Sequence, residues 1–96
     1  MPQFIILADD YKDENALSRR MAVREDHLAR MKEEKDKGNF VIGGARLDDD
    51  GKMRGSMLIV NLENEFAVQQ WLKVDPYVVG KVWDNIEVRP FKVADV

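Results

Sequence analysis

The chain has 96 residues, 45% of them hydrophobic and 34% charged, with a formal net charge of −3. This length predicts one domain, spanning residues 1–96, with a small hydrophobic core. The hydrophobic content is too high for an intrinsically disordered chain. Basic and acidic side chains are mixed along the sequence, so no basic face for nucleic acid is predicted.

The absence of certain residue types and segments excludes several kinds of site and helps to predict the cellular compartment. The sequence has no cysteine, which excludes disulfides, thiolate metal sites and cysteine nucleophiles. No apolar run approaches the ~18 residues that a membrane span needs. The first residues have neither the basic lead nor the long hydrophobic stretch of a signal peptide. We therefore expect a cytoplasmic protein that has no membrane partner.

The first two predicted elements are a strand and a long helix. Residues 2–8 form a continuous apolar run that ends at a pair of aspartates, which predicts a strand covered on both faces. Residues 14–37 predict the longest helix, because apolar side chains recur at helical spacing and neither Gly nor Pro interrupts them. The apolar stripe of this helix consists of Leu17, Met21, Leu28 and Met31.

The rest of the chain predicts three further strands and a second helix. The polar turn at 48–52 contains Asp-Gly, which is a strong hairpin signal. A proline late in the last strand indicates a sheet edge or a strand end. The predicted strands are 40–42 (continuing toward Leu47), 56–62 and 83–91, the second helix is 63–73, and a short turn or helix begins at Asp75-Pro76-Tyr77.

The predicted order of elements is β-α-β-β-α-β, which is typical of a ferredoxin-like α+β fold. In this fold, a four-stranded antiparallel sheet carries two helices on one face. The other face exposes apolar strand residues unless a second subunit packs against it. The pattern therefore predicts a homodimer.

Charged side chains interrupt the apolar stripe of the first helix. At 100° per residue, Arg24 falls in the middle of the stripe, and Arg20 and His27 fall at its margin. The stem of Arg20 can cover apolar surface while its charged head reaches solvent. Arg24 has apolar neighbours on both sides, so its guanidinium is expected to need a partner. That partner is either a carboxylate of the protein or an anionic ligand.

His27 is the only histidine, and imidazole is the side chain that ordinarily titrates near neutral pH. A lone histidine on an apolar face is also explained as a core residue. A site with several histidines is excluded. A carboxylate-rich metal site is an open alternative, but no metal-binding motif is present, so no metal site is predicted. Asp75 has two compatible interpretations: it caps a helix that starts at Pro76, and its carboxylate is a candidate partner of the imidazole.

Two further side chains are weaker candidates. Ser56 opens the third strand and is either a polar edge residue or a hydroxyl that lines a pocket. No G-x-S-x-G elbow surrounds Ser56, which argues against a nucleophile. Tyr77 is explained most simply as a core or interface aromatic residue. No phosphate-binding loop is present.

Several short motifs together resemble the YciI-like (YCII-related) family. Their order and spacing extend the resemblance over roughly residues 4–92. It implies a ferredoxin-like fold that dimerises face to face into an α/β barrel. The motifs are R-x-x-H-L at Arg24 to Leu28, Gly55-Ser56 at the start of a strand, D-P-Y at Asp75 to Tyr77, and V-x-P-F at Val88 to Phe91.

The resemblance also implies an active site built on His27 and Asp75. A related enzyme activity is dehydrochlorination of a chlorinated hydroxyhydroquinone, which is proton-transfer and elimination chemistry that needs no cofactor. We therefore expect a lyase or isomerase in which His27 is the general acid or base and Asp75 orients it. The ligand is expected to be a small anionic or hydroxylated aromatic molecule. The expected ligand-binding residues are Arg24, Ser56 and Tyr77.

Two other functions fit the same residues. In a non-catalytic module, the same pocket binds a small anion without turnover and regulates a metabolic partner. Relatives in the same barrel superfamily that oxygenate substrates or bind haem suggest a third interpretation, in which His27 is an axial ligand. No motif in the sequence supports this third interpretation.

Overall fold

The computed structural model describes residues 1–96. The four strands form one antiparallel sheet in the order β2-β3-β1-β4. The chain therefore has the predicted ferredoxin-like α+β fold. The elements are β1 (Gln3–Asp10), α1 (Ala16–Asp36), β2 (Phe40–Leu47), β3 (Met53–Asn61), α2 (Glu65–Lys73), α3 (Pro76–Val79) and β4 (Trp83–Phe91).

The side chains of the central strand β1 alternate between two environments. Phe4, Ile6 and Ala8 are buried, whereas the positions between them are partly exposed. The buried side chains pack into one core with Met31 of α1 and Val68 of α2. In a single chain the helices cover one face of β1, and covering of the other face depends on the predicted second subunit.

β1 extends two residues beyond its predicted end, through aspartates that the sequence suggested as a turn. Asp9 pairs in register with Gly55 of β3. The side chain of Asp10 is buried and forms an ion pair with Arg20. This ion pair compensates for the burial of a carboxylate within a strand, and local strand propensity gives no sign of it.

α1 presents a different face to the interior from the one predicted. Met21 and Leu28 are 51% and 45% exposed, although the sequence placed them on the buried stripe. His27 instead lies near the centre of the buried face. The face is rotated because buried polar side chains find partners in the interior, which hydrophobic periodicity does not detect. The buried residues of α1 are Ala16, Arg20, His27, Met31 and Glu34.

The two long helices begin and end within two residues of their predicted positions. α2 begins after Asn64, whose side chain accepts a hydrogen bond from the backbone N–H of Ala67 at 2.8 Å. Pro90 lies in the edge strand β4, as predicted, because an edge strand tolerates the loss of one hydrogen-bond donor. None of the helices combines the length and apolarity that crossing a membrane requires.

Candidate active site

His27 and Asp75 form a buried pair within one chain. Nδ1 of His27 lies 2.8 Å from Oδ1 of Asp75. The two side chains are 8% and 0% exposed. His27 lies in the middle of α1, and Asp75 lies in the turn between α2 and α3. The fold therefore brings together two residues that the sequence analysis selected separately.

Asp75 accepts hydrogen bonds on both carboxylate oxygens. Oδ1 also accepts the backbone N–H of Tyr77 at 2.9 Å, so Asp75 caps α3 as well as contacting the imidazole. Oδ2 accepts a hydrogen bond from NH1 of Arg30 at 2.8 Å. These donors favour an ionised carboxylate, which can only accept hydrogen bonds. The proton of the His27–Asp75 bond therefore lies on Nδ1.

The other ring nitrogen of His27, Nε2, faces a different environment. Nε2 has no hydrogen-bond partner within the chain. It still reaches solvent, because the only fully buried side-chain nitrogen or oxygen that lacks a partner is Nε of Arg20. His27 lines a cavity of about 150 Å³. With the proton on Nδ1, the lone pair of Nε2 is available to a molecule in this cavity.

Two aromatic rings fix the orientation of the imidazole. The ring of Tyr77 stacks on His27, with centroids 3.9 Å apart and planes at 14°. Trp83 contacts His27 edge-on at a centroid distance of 5.8 Å. Burial raises the pKa of Tyr77, although the positive charges of Arg20 and Arg24 oppose this shift. The Tyr77 hydroxyl is therefore a proton-bearing donor at neutral pH.

Arg20 is buried, so the expectation that its head reaches solvent was wrong. NH1 donates to both carboxylate oxygens of Asp10, at 2.9 and 3.0 Å. The guanidinium also lies over the ring of Tyr77, 4.7 Å from its centroid. Burial raises the pKa of Asp10, and the hydrogen bonds and charge of Arg20 oppose this rise. Arg20 is part of the cavity wall. Its NH1 is bound to Asp10 and its NH2 to Ser56, whereas Nε has no hydrogen-bond partner.

Ser56 lines the cavity and is 2% exposed. Its Oγ accepts hydrogen bonds from NH2 of Arg20 at 2.9 Å and from Nε1 of Trp83 at 3.1 Å. Because both contacts use the oxygen as an acceptor, the hydroxyl proton of Ser56 is free to be donated. Ser56 therefore suits the predicted role of a hydrogen-bond donor to a ligand.

Arg24 lines the same cavity and is partly exposed. In contrast to Arg20 and Arg30, it forms no ion pair or side-chain hydrogen bond within the chain. The protein carboxylate that the sequence analysis considered as its partner is therefore absent. The guanidinium of Arg24 is a cation at the cavity that is free to meet an anionic group.

The strand β2 forms the wall of the cavity opposite the histidine. Gly43 allows this wall to approach closely, because a Cβ atom at this position would lie 2.5 Å from the backbone oxygen of Met57. Phe40 and Leu58 add apolar surface to the cavity. No group of three or more His, Asp or Glu side chains is arranged to hold a metal ion.

The model of the family described as the YCII-related domain matches residues 3–92. The chain belongs to this family. It is 36% identical over 95 residues to an uncharacterised protein of Haemophilus influenzae and 35% identical over 95 residues to protein YciI of Escherichia coli. Each of these matches covers 93% of this chain and 95% of the relative.

Two solved structures relate this YCII-related chain to proteins with described ligands or assemblies. 5-Chloro-2-hydroxyhydroquinone dehydrochlorinase (TftG) from Burkholderia phenoliruptrix, in complex with 2,5-dihydroxybenzoquinone, is similar with a TM-score of 0.81 and 26% identity. That alignment covers 96% of this chain and 95% of the enzyme. A dimeric ferredoxin-like protein from an uncultured marine organism has a TM-score of 0.55 and 14% identity over the full length of both chains. The second likeness shows the fold alone.

Several residues that surround the pair in this YCII-related protein were not predicted from its sequence. Arg30 was not selected, although it lies three residues after His27 and so shares its helix face. NH2 of Arg30 donates to the backbone oxygen of Trp71 at 2.7 Å, and the guanidinium lies 4.4 Å from the centroid of the Trp71 ring. Nε1 of Trp71 donates in turn to Glu34 at 2.6 Å. The helical spacing of His27, Arg30 and Glu34 was a signal that could have found these residues.

Proposed function

We propose that this YCII-related protein is a small-molecule enzyme of the lyase or isomerase type, in which His27 transfers a proton to or from the substrate. The observation that carries the proposal is the buried contact of His27 Nδ1 with Asp75, together with the cavity that His27 lines. A carboxylate that binds Nδ1–H leaves Nε2 as a lone-pair base. A base positioned in this way contributes typically ~10²–10⁴-fold to the rate.

The size and lining of the cavity indicate the class of substrate. Its volume of about 150 Å³ is the size of an apolar cavity that binds one benzene ring. The unpaired cation of Arg24 and the hydroxyl groups of Ser56 and Tyr77 suit a ring that carries hydroxyl groups or a negative charge. The likeness to a dehydrochlorinase that binds a dihydroxybenzoquinone supports this class.

An elimination on such a ring is balanced without an oxidant or reductant. Nε2 of His27 takes the proton of a ring hydroxyl, the electron pair of that O–H bond moves into the ring, and the imidazolium returns the proton to the ring carbon that bears the leaving group. A second hydroxyl then loses its proton to Nε2, its electron pair forms a carbonyl, and the anionic leaving group departs from the now tetrahedral carbon with the electron pair of its bond. Arg24 stabilises the negative charge that develops on the ring oxygens. An isomerisation uses the same base and returns the proton to another atom of the substrate.

Turnover and binding, measured separately, test this proposal. The panel consists of hydroxylated and halogenated aromatic acids and hydroquinones, and binding is followed by calorimetry. We expect wild-type protein to convert at least one compound and His27→Ala to lose ~10²-fold or more of that rate. Asp26→Asn is the matched control, because Asp26 is adjacent in α1 but exposed, and its rate should be unchanged.

The same experiment distinguishes the proposed enzyme from a binding module. Equal turnover by wild type and His27→Ala rejects the role of His27. Tight binding of a panel member to the wild type without conversion of any compound assigns the cavity to a non-catalytic module. Neither result depends on knowing the physiological substrate.

We also propose that the chain forms a homodimer through the face of the sheet that the helices leave uncovered. Ile5 is paired with Ile59 and Leu7 with Met57, so these apolar side chains share that face. Ile42, which is 57% exposed, is paired with Ile59 from the other side. The likeness to dimeric ferredoxin-like proteins supports this assembly.

Light scattering after size exclusion tests the homodimer. The expected mass is twice the 11.1 kDa of one chain. We expect Leu7→Asp to shift the protein to monomer, because it places a charge in the middle of the buried apolar interface. Glu25→Gln changes an exposed charge on α1, on the side of the sheet that the helices cover, and should leave the dimer intact. A wild-type protein that is entirely monomeric at micromolar concentration contradicts the proposal.

A further inference from the structure

Arg30 contacts the candidate catalytic pair from the side away from the cavity, and the proposed mechanism does not use it. We propose that Arg30 is a positioning residue that acts through Asp75. It binds the carboxylate at the oxygen opposite the histidine and offsets part of its charge, which weakens the stabilisation that Asp75 gives to protonated His27. As a statement about proton transfer, this inference rests on the proposed function.

The two carboxylate oxygens of Asp75 bind different side chains. Oδ1 lies 2.8 Å from Nδ1 of His27, and Oδ2 lies 2.8 Å from NH1 of Arg30. A carboxylate bound at one oxygen can rotate about its side-chain bonds, whereas one bound at both oxygens has its plane fixed. The clamp therefore fixes the direction in which Asp75 presents its Oδ1 to the imidazole.

A hydrogen bond and a stacking contact hold Arg30 in place in addition to its ion pair with Asp75. NH2 donates to the backbone oxygen of Trp71 at 2.7 Å, in the last turn of α2. The guanidinium stacks over the Trp71 ring at 4.4 Å, and the side chain is only 16% exposed. Three contacts on one planar group leave little rotational freedom, so Arg30 differs from the flexible arginines of surface ion pairs.

The charges around His27 determine the sign of the electrostatic effect. Asp75 is the only carboxylate in contact with the imidazole. The other charged groups on this side are Arg20 and Arg24, which share the lining of the cavity, and Asp10 of β1, which forms an ion pair with Arg20. Tyr77 of α3 is neutral, because burial raises its pKa. Arg30 is therefore the cation that compensates the charge of Asp75.

Without that compensation, Asp75 would stabilise the imidazolium form of His27 more strongly. An opposite charge within ~4–6 Å displaces a titration by about 1–3 pH units. A general base must be unprotonated at the working pH. By offsetting the charge of Asp75, Arg30 favours the unprotonated ring, whose Nε2 can accept a proton, and its removal should favour the protonated ring.

Titration of the His27 ring by NMR tests the inference, and the signal is unambiguous because the chain has only one histidine. We expect Arg30→Gln to move the titration midpoint to higher pH by about one unit. Arg30→Lys retains the charge and should stay within about half a unit of wild type. The matched control is Lys32→Gln, which removes an exposed charge from the same helix and should leave the midpoint unchanged.

The outcomes separate this inference from the proposed function. A midpoint that is unchanged or lower in folded Arg30→Gln overturns the role of Arg30. If Arg30→Gln does not fold, Arg30→Met preserves an apolar stem against the Trp71 ring and is judged by the same criterion. The titration needs no substrate, so it gives its answer even if His27→Ala has full activity and the enzyme assignment fails.

Discussion

The imidazole of His27 and the phenol ring of Tyr77 are stacked face to face, with centroids 3.9 Å apart and planes at 14°. This contact joins the middle of α1 to the short helix α3. Tyr77 therefore has two separable functions: its ring supports the imidazole, and its hydroxyl reaches the cavity. Substitutions that remove one function and preserve the other distinguish them.

Tyr77→Phe retains the stacked ring and removes the hydroxyl. We expect a change of no more than about 1 kcal/mol in the free energy of unfolding, because the ring is 1% exposed and its packing is preserved. Tyr77→Ala should lower the free energy of unfolding by about 3–5 kcal/mol, as for other buried aromatic residues. Urea denaturation followed by tryptophan fluorescence measures both. Equal losses in the two variants would show that the stacked ring contributes little.

Asp75→Asn replaces a carboxylate by an amide of the same shape. Asparagine is a good N-cap, so the start of α3 should persist. The charge that stabilises protonated His27 is lost, and Arg30 loses its anionic partner. We expect the NMR titration midpoint of His27 to fall, because an adjacent negative charge favours the protonated ring. A midpoint identical to that of wild type would refute the electrostatic coupling of the pair.

Arg24 and Arg20 are four residues apart on α1, but they should respond differently to the same substitution. Arg24 has no partner in the chain, so Arg24→Gln should leave stability within about 0.5 kcal/mol of wild type. We expect it to weaken binding of an anionic panel member about tenfold or more, measured by calorimetry. Arg20→Gln leaves Asp10 buried and unpaired and should destabilise by about 3–5 kcal/mol. Unchanged anion binding in Arg24→Gln would remove Arg24 from the ligand site.

Gly43 and Gly44 are adjacent in β2 and form a matched pair. An alanine Cβ at Gly43 would lie 2.5 Å from the backbone oxygen of Met57, whereas nothing lies within 4 Å of a Cβ at Gly44. We expect Gly43→Ala to reduce stability by about 1–3 kcal/mol, because β2 must move away from β3. Gly44→Ala should be close to neutral. Thermal unfolding of both variants checks the difference, and similar melting temperatures would contradict the close approach.

The acid sensitivity of the fold should depend on Glu34. Burial would raise the pKa of Glu34, but hydrogen bonds from Trp71, Asn39 and Lys37 outweigh it and leave the pKa below its ordinary value of 4.5. The folded protein therefore binds this proton less tightly than the unfolded chain does. Ionised Glu34 stabilises the fold above the unfolded pKa, and this contribution is lost as the pH falls through the lowered folded pKa.

Unfolding free energies measured in urea from about pH 6 to about pH 3 test this dependence. We expect stability to decline less steeply with acidification in Glu34→Gln than in wild type. Glu33→Gln is the control, because Glu33 is exposed on the same helix. Parallel curves for wild type and Glu34→Gln would contradict a lowered pKa.

The order of elements was predictable from the sequence because it depends on strong local signals. The apolar run of β1, the polar turn before β3 and the proline of β4 each identify an element or its boundary. The family motifs located His27 and Asp75. That the chain is one domain over residues 1–96 and that it is cytoplasmic stay predictions.

The buried face of α1 was not predictable from hydrophobicity because it is largely polar. Arg20 and Glu34 are buried only because Asp10 and Trp71, distant in sequence, supply their partners. Hydrophobic periodicity placed Arg20 only at the margin of the buried stripe and placed Met21 on it. The contact of His27 with Asp75 spans 48 positions, and no local pattern determines whether such residues meet.

Oδ1 of Asp75 binds both the imidazole of His27 and the backbone N–H that begins α3. This one atom therefore caps a helix and also binds the candidate catalytic histidine. A substitution of Asp75 that favours another reaction would also weaken the start of α3. During divergence of the family, new substrate preferences should thus arise first at a cavity-lining position of β2 such as Gly44, where an added Cβ meets nothing within 4 Å.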